Sequence, residues 1–232
     1  MTDSARFSWT VLLPVKVLAR AKSRLGVLAG DRRRELALAL AADTVAAVLA
    51  CPAVARVIVV TSDPVAGPLL AALGAVVVRD EPAGLDGPEE ATDLGPQHLL
   101  NAALRHGAAV ASQRWPGTGF AALTADLPAL RPAELATALR ATETTAARAA
   151  FVPDAAGVGT TLYAVPPGGD FLPLFGGASR ARHAASGAAE IDLDDMAGLR
   201  RDVDTPEDLQ VVLALGAGPR TTTLAGELLA DA

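Results

Sequence analysis

The chain is poor in several features, and each shortage excludes a class of protein. Its 232 residues include one cysteine, Cys51, which excludes an intrachain disulfide framework and a cysteine metal site. Twenty basic against 26 acidic side chains give a net charge of −6, which opposes attraction to nucleic-acid phosphates. Every apolar run is shorter than the ~20 residues of a membrane span, and Lys16 interrupts the only signal-like N-terminal stretch. We therefore expect a cytoplasmic protein that binds neither nucleic acid nor a membrane.

Apolar residues, in contrast, are abundant. Hydrophobic residues make up 51% of the chain and charged residues 20%, which is enough apolar surface to offset the ordering entropy of folding. A single core usually stops growing near ~250–300 residues. We therefore expect one domain over residues 1–232.

Strand-like and helix-like segments alternate along the chain. Short β-branched runs indicate four buried strands, at residues 9–15, 56–61, 75–78 and 120–124. Helical patterns lie between them, and this alternation predicts an α/β fold with a mostly parallel sheet and helices on both faces.

The pattern is less regular after the fourth predicted strand. Strand-like runs at 150–152 and 160–165 predict an antiparallel extension of the sheet. A short strand is also expected at 199–203, before a last core helix that begins at Pro206. The acidic stretch 81–95 predicts a long, mobile loop.

Lysine is scarce as well. Against 18 arginines the chain has two lysines, Lys16 and Lys22, both in the loop after the first predicted strand. This pairing suggests a specific demand for compact ammonium groups, and compositional accident is the alternative. The sequence has neither a P-loop motif nor a dinucleotide-binding glycine fingerprint after the first strand. The lysine-bearing loop would have to replace them if the ligand is a polyphosphate.

Three aspartates are candidate metal ligands. Asp126 follows the fourth predicted strand, where ligands bind in parallel sheets, and alternation along 199–203 points Asp202 and Asp204 to one side. Three carboxylates suit Mg²⁺. The alternative is that Asp126 caps the turn at Pro128 and that Asp204 caps the final helix.

Two small-residue turns are candidate anion sites. Residues 159–161 and 176–179 are small and include glycine, and the second turn precedes a helix whose N–H groups could bind a phosphate. Simple turn chemistry is the alternative. From its spacing after Ser179, we expect His183 on the surface, while Asn101 could be an ordinary helix residue.

In order and spacing, these segments resemble the 2-phospho-L-lactate/phosphoenolpyruvate guanylyltransferase family over nearly the whole chain. The resemblance rests on Leu13-Pro14-Val15-Lys16, Ala21-Lys22-Ser23-Arg24-Leu25, Thr124-Ala125-Asp126-Leu127-Pro128, Gly159-Thr160, Phe175-Gly176 with Ser179 and His183, and Asp202-Val203-Asp204-Thr205-Pro206-Glu207-Asp208-Leu209. It implies a three-layer α/β sandwich of the nucleotide-diphospho-sugar transferase (glycosyltransferase-A-like) fold. It also implies a Mg²⁺-dependent nucleotidyltransferase of coenzyme F-420 biosynthesis, which joins GMP from GTP to phosphoenolpyruvate or 2-phospho-L-lactate and releases pyrophosphate.

The resemblance further implies a role for individual residues. Those implied to bind GTP are Pro14, Lys16, Lys22, Arg24 and Asn101, of which Lys16 and Lys22 are catalytic together with Asp126. Those implied to bind the phosphate of the acid substrate are Thr160, Gly176 and Ser179. The implied Mg²⁺ ligands are Asp126, Asp202 and Asp204.

Two departures from the family pattern leave points open. Thr161 stands where many members have asparagine, and the stretch 81–95 is longer than the usual connection. The first departure leaves the choice of acid open, and the second leaves the behaviour of that loop open. The oligomeric state, with a homodimer as one alternative, is a separate open point. Another nucleotidyltransferase of the same fold (cytidylyl, molybdenum-cofactor or sugar type) and a non-catalytic nucleotide-binding regulator are the alternative functions.

Overall fold

Strands and helices alternate along the chain, as the sequence predicts. The computed structural model describes residues 7–15, 25, 29–80 and 96–230. The strands in these ranges are β1 Trp9–Pro14, β2 Val54–Val60, β3 Val76–Val78, β4 Gly119–Leu123, β5 Ala150–Pro153, β6 Thr160–Val165 and β7 Ala189–Glu190. The α-helices are α1 Arg33–Leu49, α2 Ala66–Ala72, α3 Pro96–Arg114, α4 Pro132–Thr144, α5 Ser179–Ala185, α6 Ala197–Arg200, α7 Pro206–Leu215 and α8 Pro219–Ala230.

The strands form one mixed sheet in the order β3-β2-β1-β4-β6-β5-β7. Every neighbouring pair is parallel except β4 with β6 and β6 with β5, so β6 alone runs against the others. Because β6 is reversed, it begins at the edge where the parallel strands end. That edge therefore collects the exits of β1 and β4 together with the first residue of β6, Thr160.

Helices cover both faces of the sheet, as a three-layer sandwich requires. One core cluster joins the sheet to α1, α2 and α4, and another joins its opposite face to α3. Helix α3 lies very close to the strands, since a Cβ added at Gly107 would be 2.7 Å from a methyl group of Val60. A third cluster joins α1 to α7 and α8. No helix in the described ranges is long and apolar enough to cross a membrane.

The predicted strand at 199–203 is wrong. Residues 197–200 form α6, and an extended, unpaired segment follows it as far as the start of α7. The buried carboxylate of Glu134 explains the helical turn, because it accepts the N–H of Gly198 at 3.1 Å. A Cβ at Gly198 would lie 2.1 Å from the carbonyl oxygen of Ala129, so α6 packs directly on the chain there. The helix at Pro206 is also not the last one, because α8 follows it.

Candidate active site

Three carboxylates meet at the edge of the sheet where β4 ends. Asp126 follows β4, while Asp202 and Asp204 lie on the extended segment between α6 and α7. One oxygen from each carboxylate lies within 4.8 Å of the other two. Asp126 and Asp202 are half-buried and Asp204 is exposed, so the group faces solvent on one side. We call these residues the carboxylate cluster; its donor atoms suit a hard divalent cation.

Backbone and hydroxyl hydrogen bonds bring the two segments together. The N–H of Val203, between the two later aspartates, donates to the carbonyl oxygen of Asp126 at 3.2 Å. On the other side, the N–H of Leu127 donates to the hydroxyl of Thr44 in α1 at 2.9 Å. The cluster is therefore positioned without the strand at 199–203 that the sequence analysis expected.

Asp204 is not the cap of the helix that follows it. The N-cap of α7 is Thr205, whose hydroxyl accepts the N–H of Asp208 at 3.2 Å. The Asp208 carboxylate in turn accepts the N–H groups of Thr205 at 3.0 Å and Asp204 at 3.2 Å. The capping alternative for Asp204 is therefore wrong, since this capping box already satisfies the helix terminus.

The residues that the resemblance implies for acid binding lie around a buried imidazole. Thr160 is the first residue of β6, and its hydroxyl lies 3.0 Å from Nδ1 of His183. Ser179 begins α5 one turn before His183, and Gly176 lies in the turn that leads into this helix. Thr160, Ser179 and His183 are all buried. We call Thr160, Gly176 and Ser179 the phosphate cradle, after the role that the family resemblance implies for them.

His183 lies in the core, so the expected surface position is wrong. Its side chain is fully buried, stacked on Tyr163 at 4.7 Å and Phe151 at 5.6 Å between ring centroids, with the edge of Phe175 at 5.5 Å. Burial, and secondarily the charge of Arg182, lowers the pKa of His183 to about 4. The imidazole is therefore neutral at physiological pH.

Asn101 holds the backbone just before Gly176. Its side-chain amide donates to the carbonyl oxygen of Phe175 at 3.1 Å and accepts the N–H of Phe175 at 2.9 Å. This pair of bonds links α3 to the turn that carries the phosphate cradle. No local pattern in the sequence indicates this contact, because the two residues are 74 positions apart.

The flanking backbone groups are also bonded to side chains. The N–H of Leu174 donates to Nε2 of His183 at 2.9 Å, and the guanidinium of Arg182 donates to the carbonyl oxygens of Leu174 and Gly176. Within the described ranges, the N–H of Gly176 makes no hydrogen bond. Gly176 has a φ of 100°, in the left-handed region that favours glycine. Hydrogen bonds thus hold the turn in place, while the backbone N–H of Gly176 makes none within the described ranges.

Comparison with known proteins assigns the family. The chain is 57% identical over 227 residues to the phosphoenolpyruvate guanylyltransferase of Thermomonospora curvata, covering 98% of this chain and 92% of that one. It is 58% identical over 222 residues to the enzyme of the same name from Streptomyces coelicolor, covering 95% and 97%. The chain belongs to the phosphoenolpyruvate guanylyltransferase family. No protein-family model matches it.

Solved structures support the fold of this family member. A nucleotide-diphospho-sugar transferase from Desulfovibrio desulfuricans is similar with a TM-score of 0.63 and 17% identity, covering 95% of this chain and 97% of that one. A nucleotidyl transferase from Methanothermobacter is similar with a TM-score of 0.57 and 19% identity, covering 91% and 98%. The predicted α/β sandwich of the nucleotide-diphospho-sugar transferase type is therefore confirmed.

Several predicted site residues of this guanylyltransferase family member lie outside the described ranges. These are Lys16, Lys22 and Arg24, together with the acidic stretch 81–95. Pro14 is described: it ends β1, paired with Val60, at the edge of the sheet that carries the carboxylate cluster.

Two further buried hydroxyls lie at this edge. The Oγ1 atoms of Thr124 and Thr161 are buried and have no hydrogen-bond partner among the described residues. The two residues are joined through the backbone, since the N–H of Thr124 donates to the carbonyl oxygen of Thr161 at 3.0 Å. Thr161 thus places an uncommitted hydroxyl next to Thr160.

Proposed function

We propose that this chain is a Mg²⁺-dependent guanylyltransferase. It joins GMP from GTP to the phosphate of phosphoenolpyruvate and releases pyrophosphate, in coenzyme F-420 biosynthesis. The observation that carries the proposal is the carboxylate cluster, with oxygens within 4.8 Å of one another, in a chain more than half identical to phosphoenolpyruvate guanylyltransferases.

The donor set of the carboxylate cluster fits a magnesium ion. Its three ligands are carboxylate oxygens, and the part of the chain that the structure describes offers no sulfur or imidazole ligand in this group. Mg²⁺ prefers such oxygen ligands and is commonly held by few carboxylates together with substrate phosphates. When bound, the ion supplies charge neutralisation for the phosphates of the nucleotide.

The GTP side of the site would be the exit of β1 and the loop after it. We assign nucleotide binding to the residues implied by the family resemblance, namely Pro14, Lys16, Lys22, Arg24 and Asn101. The two lysines would contact the phosphates, where a compact ammonium group acts as a point charge. For Asn101, the bonds to Phe175 support a role close to the acid substrate as well.

The acid side would be the phosphate cradle. The hydroxyls of Thr160 and Ser179 and the N–H of Gly176 are neutral donors, which suit the acceptor oxygens of a phosphate monoester. The burial of Thr160 and Ser179 supports this assignment, because hydrogen bonds to an anion are stronger where water is excluded. The neighbouring hydroxyl of Thr161 is a candidate for distinguishing phosphoenolpyruvate from 2-phospho-L-lactate.

The reaction would need positioning more than proton transfer. A phosphate oxygen of phosphoenolpyruvate attacks the α-phosphorus of GTP, the new P–O bond forms, and the bond to pyrophosphate breaks. A phosphate monoester is already ionised and nucleophilic near pH 7, so no general base is required. The state of His183 agrees with this, since both of its ring nitrogens are already hydrogen-bonded to protein groups.

The rest of the proposal concerns the form of the protein. One nucleotidyltransferase domain would span residues 1–232 and act in the cytoplasm, with a homodimer as the expected assembly if it associates. No role in nucleic-acid or membrane binding is proposed.

A transfer assay with labelled GTP tests the proposal. The purified protein with Mg²⁺ and α-³²P-labelled GTP would be offered phosphoenolpyruvate, 2-phospho-L-lactate or 3-phosphoglycerate, and pyrophosphate would be measured in parallel. We expect label transfer and stoichiometric pyrophosphate with phosphoenolpyruvate, and none without metal. Transfer to 2-phospho-L-lactate alone would overturn the substrate assignment, and GTP binding without transfer to any acid would favour the regulator.

A further inference from the structure

We propose that His183 is a positioning residue that aims the hydroxyl hydrogen of Thr160 at the phosphate of the acid substrate. The inference rests on the proposed function, in which Thr160 binds that phosphate.

The hydrogen bonds of His183 assign its tautomer. A backbone N–H can only donate, so Nε2 of His183 must accept the N–H of Leu174, from which it lies 2.9 Å away. A neutral imidazole then carries its hydrogen on Nδ1. The bond of 3.0 Å to Thr160 therefore runs from Nδ1–H to the hydroxyl oxygen, and the backbone of Ser179, one turn earlier in α5, is a second hydrogen-bond partner of the imidazole.

This direction fixes what the Thr160 hydroxyl can do. A hydroxyl has one hydrogen to donate and two lone pairs, and one lone pair is taken by His183. Among the described residues, the Thr160 hydroxyl makes no hydrogen bond other than the one with His183. Its hydrogen is thus directed to a ligand, and the oxygens of an ionised phosphate are acceptors only.

A register shift at the start of β6 helps Thr160 to face His183. Val152 of β5 pairs with Leu162, but the next residue, Pro153, pairs with Thr160 instead of Thr161. An extra residue of this kind, here Thr161, redirects a side chain at the end of a strand. Without the shift, alternation along β6 would turn Thr160 to the face opposite Tyr163, whose ring stacks on His183.

The surroundings of His183 keep the imidazole in place. The rings of Tyr163 and Phe151 stack on it. Its hydrogen bonds to Thr160 and Leu174 connect β6 to the turn before Gly176. One side chain therefore links two parts of the phosphate cradle that are distant in sequence.

Two variants separate the two hydrogen bonds. In His183→Asn, the amide nitrogen occupies the position of Nδ1 and keeps the donor to Thr160 while losing the acceptor for Leu174. In His183→Gln, the amide group reaches the position of Nε2 and can accept from Leu174, but the donor to Thr160 is lost. Each variant loses one buried bond, so their Tm values should fall by similar amounts.

Steady-state kinetics of the two variants give the decisive comparison. We expect His183→Gln to raise the KM for phosphoenolpyruvate about tenfold, since a donor to a charged phosphate is no longer aimed. His183→Asn should raise it less than about threefold, and both variants should keep the KM for GTP within about twofold. Exposed His98 supplies the control, and His98→Gln should match the wild-type protein.

A spectroscopic measurement on the wild-type protein tests the inference without substrate or substitution. Imidazole ¹⁵N spectra near pH 7 should show His183 protonated on Nδ1 and not on Nε2. Protonation on Nε2 would overturn the inference, and so would equal KM values for phosphoenolpyruvate in the asparagine and glutamine variants of an active enzyme. Wild-type protein that does not turn over GTP with phosphoenolpyruvate would instead overturn the proposed function.

Discussion

The carboxylate cluster and the phosphate cradle are built in different ways. The cluster has three like charges on segments that leave β4 and precede α7, and Asp204 in it is exposed. The residues of the cradle are neutral, two of them, Thr160 and Ser179, are buried, and Asn101, Arg182 and His183 hold its turn by hydrogen bonds to backbone atoms. The difference indicates that the chemistry of the cluster depends on the charge of its own residues. The geometry of the cradle depends instead on the side chains that hydrogen-bond to its backbone.

The largest effect is expected in the cluster. Asp126→Asn should lower kcat by about a thousandfold or more, because a metal ligand is lost, while the free energy of unfolding changes little. Thermal unfolding and label transfer from GTP measure the two quantities. The matched control is Asp194→Asn, at an exposed position away from the cluster. An unfolded Asp126→Asn protein, or one with normal kcat, would make Asp126 structural.

Removal of a supporting residue of the cradle should act mainly on stability. Asn101→Leu leaves both backbone groups of buried Phe175 without their partner, and we expect a loss of about 4 kcal/mol in the free energy of unfolding. In the folded fraction, the KM for phosphoenolpyruvate should rise more than the KM for GTP.

The same kinetics decide between the two roles of Asn101. A larger rise in the KM for GTP would favour the nucleotide contact that the family resemblance implies. Ser112→Ala, at an exposed position on the same helix, is the control for changes in α3.

Acid should destabilise the cradle through His183. Its pKa is about 4 in the folded chain against the ordinary value of 6.5, so between these pH values the unfolded chain binds the proton more tightly. The free energy of unfolding should therefore fall as pH drops from 6.5, by about 3 kcal/mol at pH 4. Above pH 6.5 both states are neutral and this contribution is constant.

Urea unfolding of wild-type protein and His183→Asn as a function of pH isolates this contribution. The asparagine variant cannot titrate at this position, so its stability should fall less steeply between pH 6.5 and pH 4. Parallel pH curves for the two proteins would contradict the assignment of a neutral, buried imidazole.

The smallest effect separates capping from metal binding next to the cluster. Thr205→Ala should cost about 1 kcal/mol of stability, because Thr205 is the N-cap of α7. Asp204→Ser should change stability by less than about 0.5 kcal/mol and raise the Mg²⁺ concentration needed for activity. The reverse pattern would restore the helix-capping role of Asp204.

The sequence predicts the cluster better than the cradle for a physical reason. Strand exits and residue chemistry are local signals, so Asp126, Asp202 and Asp204 could be grouped even though the expected strand at 199–203 is a helical turn and an extended segment. The order of the strands and the additional helix α8 depend on tertiary packing, which no single segment encodes.

The parts of the cradle that the sequence did not predict are long-range contacts. The surface position expected for His183 is wrong because a seven-residue helix has too few turns for its sequence to show which face is buried. The bond between Asn101 and Phe175 joins residues 74 positions apart, and local patterns carry no trace of it. Buried polar side chains that serve a distant backbone are therefore the elements that needed the structure.

The most direct test of this division of roles is a crystal structure of the protein with GTP, Mn²⁺ in place of Mg²⁺ and phosphoenolpyruvate, in which anomalous scattering locates the metal. We expect Mn²⁺ on the carboxylates of Asp126, Asp202 and Asp204, and the phosphate of phosphoenolpyruvate on Thr160, Gly176 and Ser179. Mn²⁺ bound away from these aspartates, or phosphoenolpyruvate bound away from the cradle, would contradict the account.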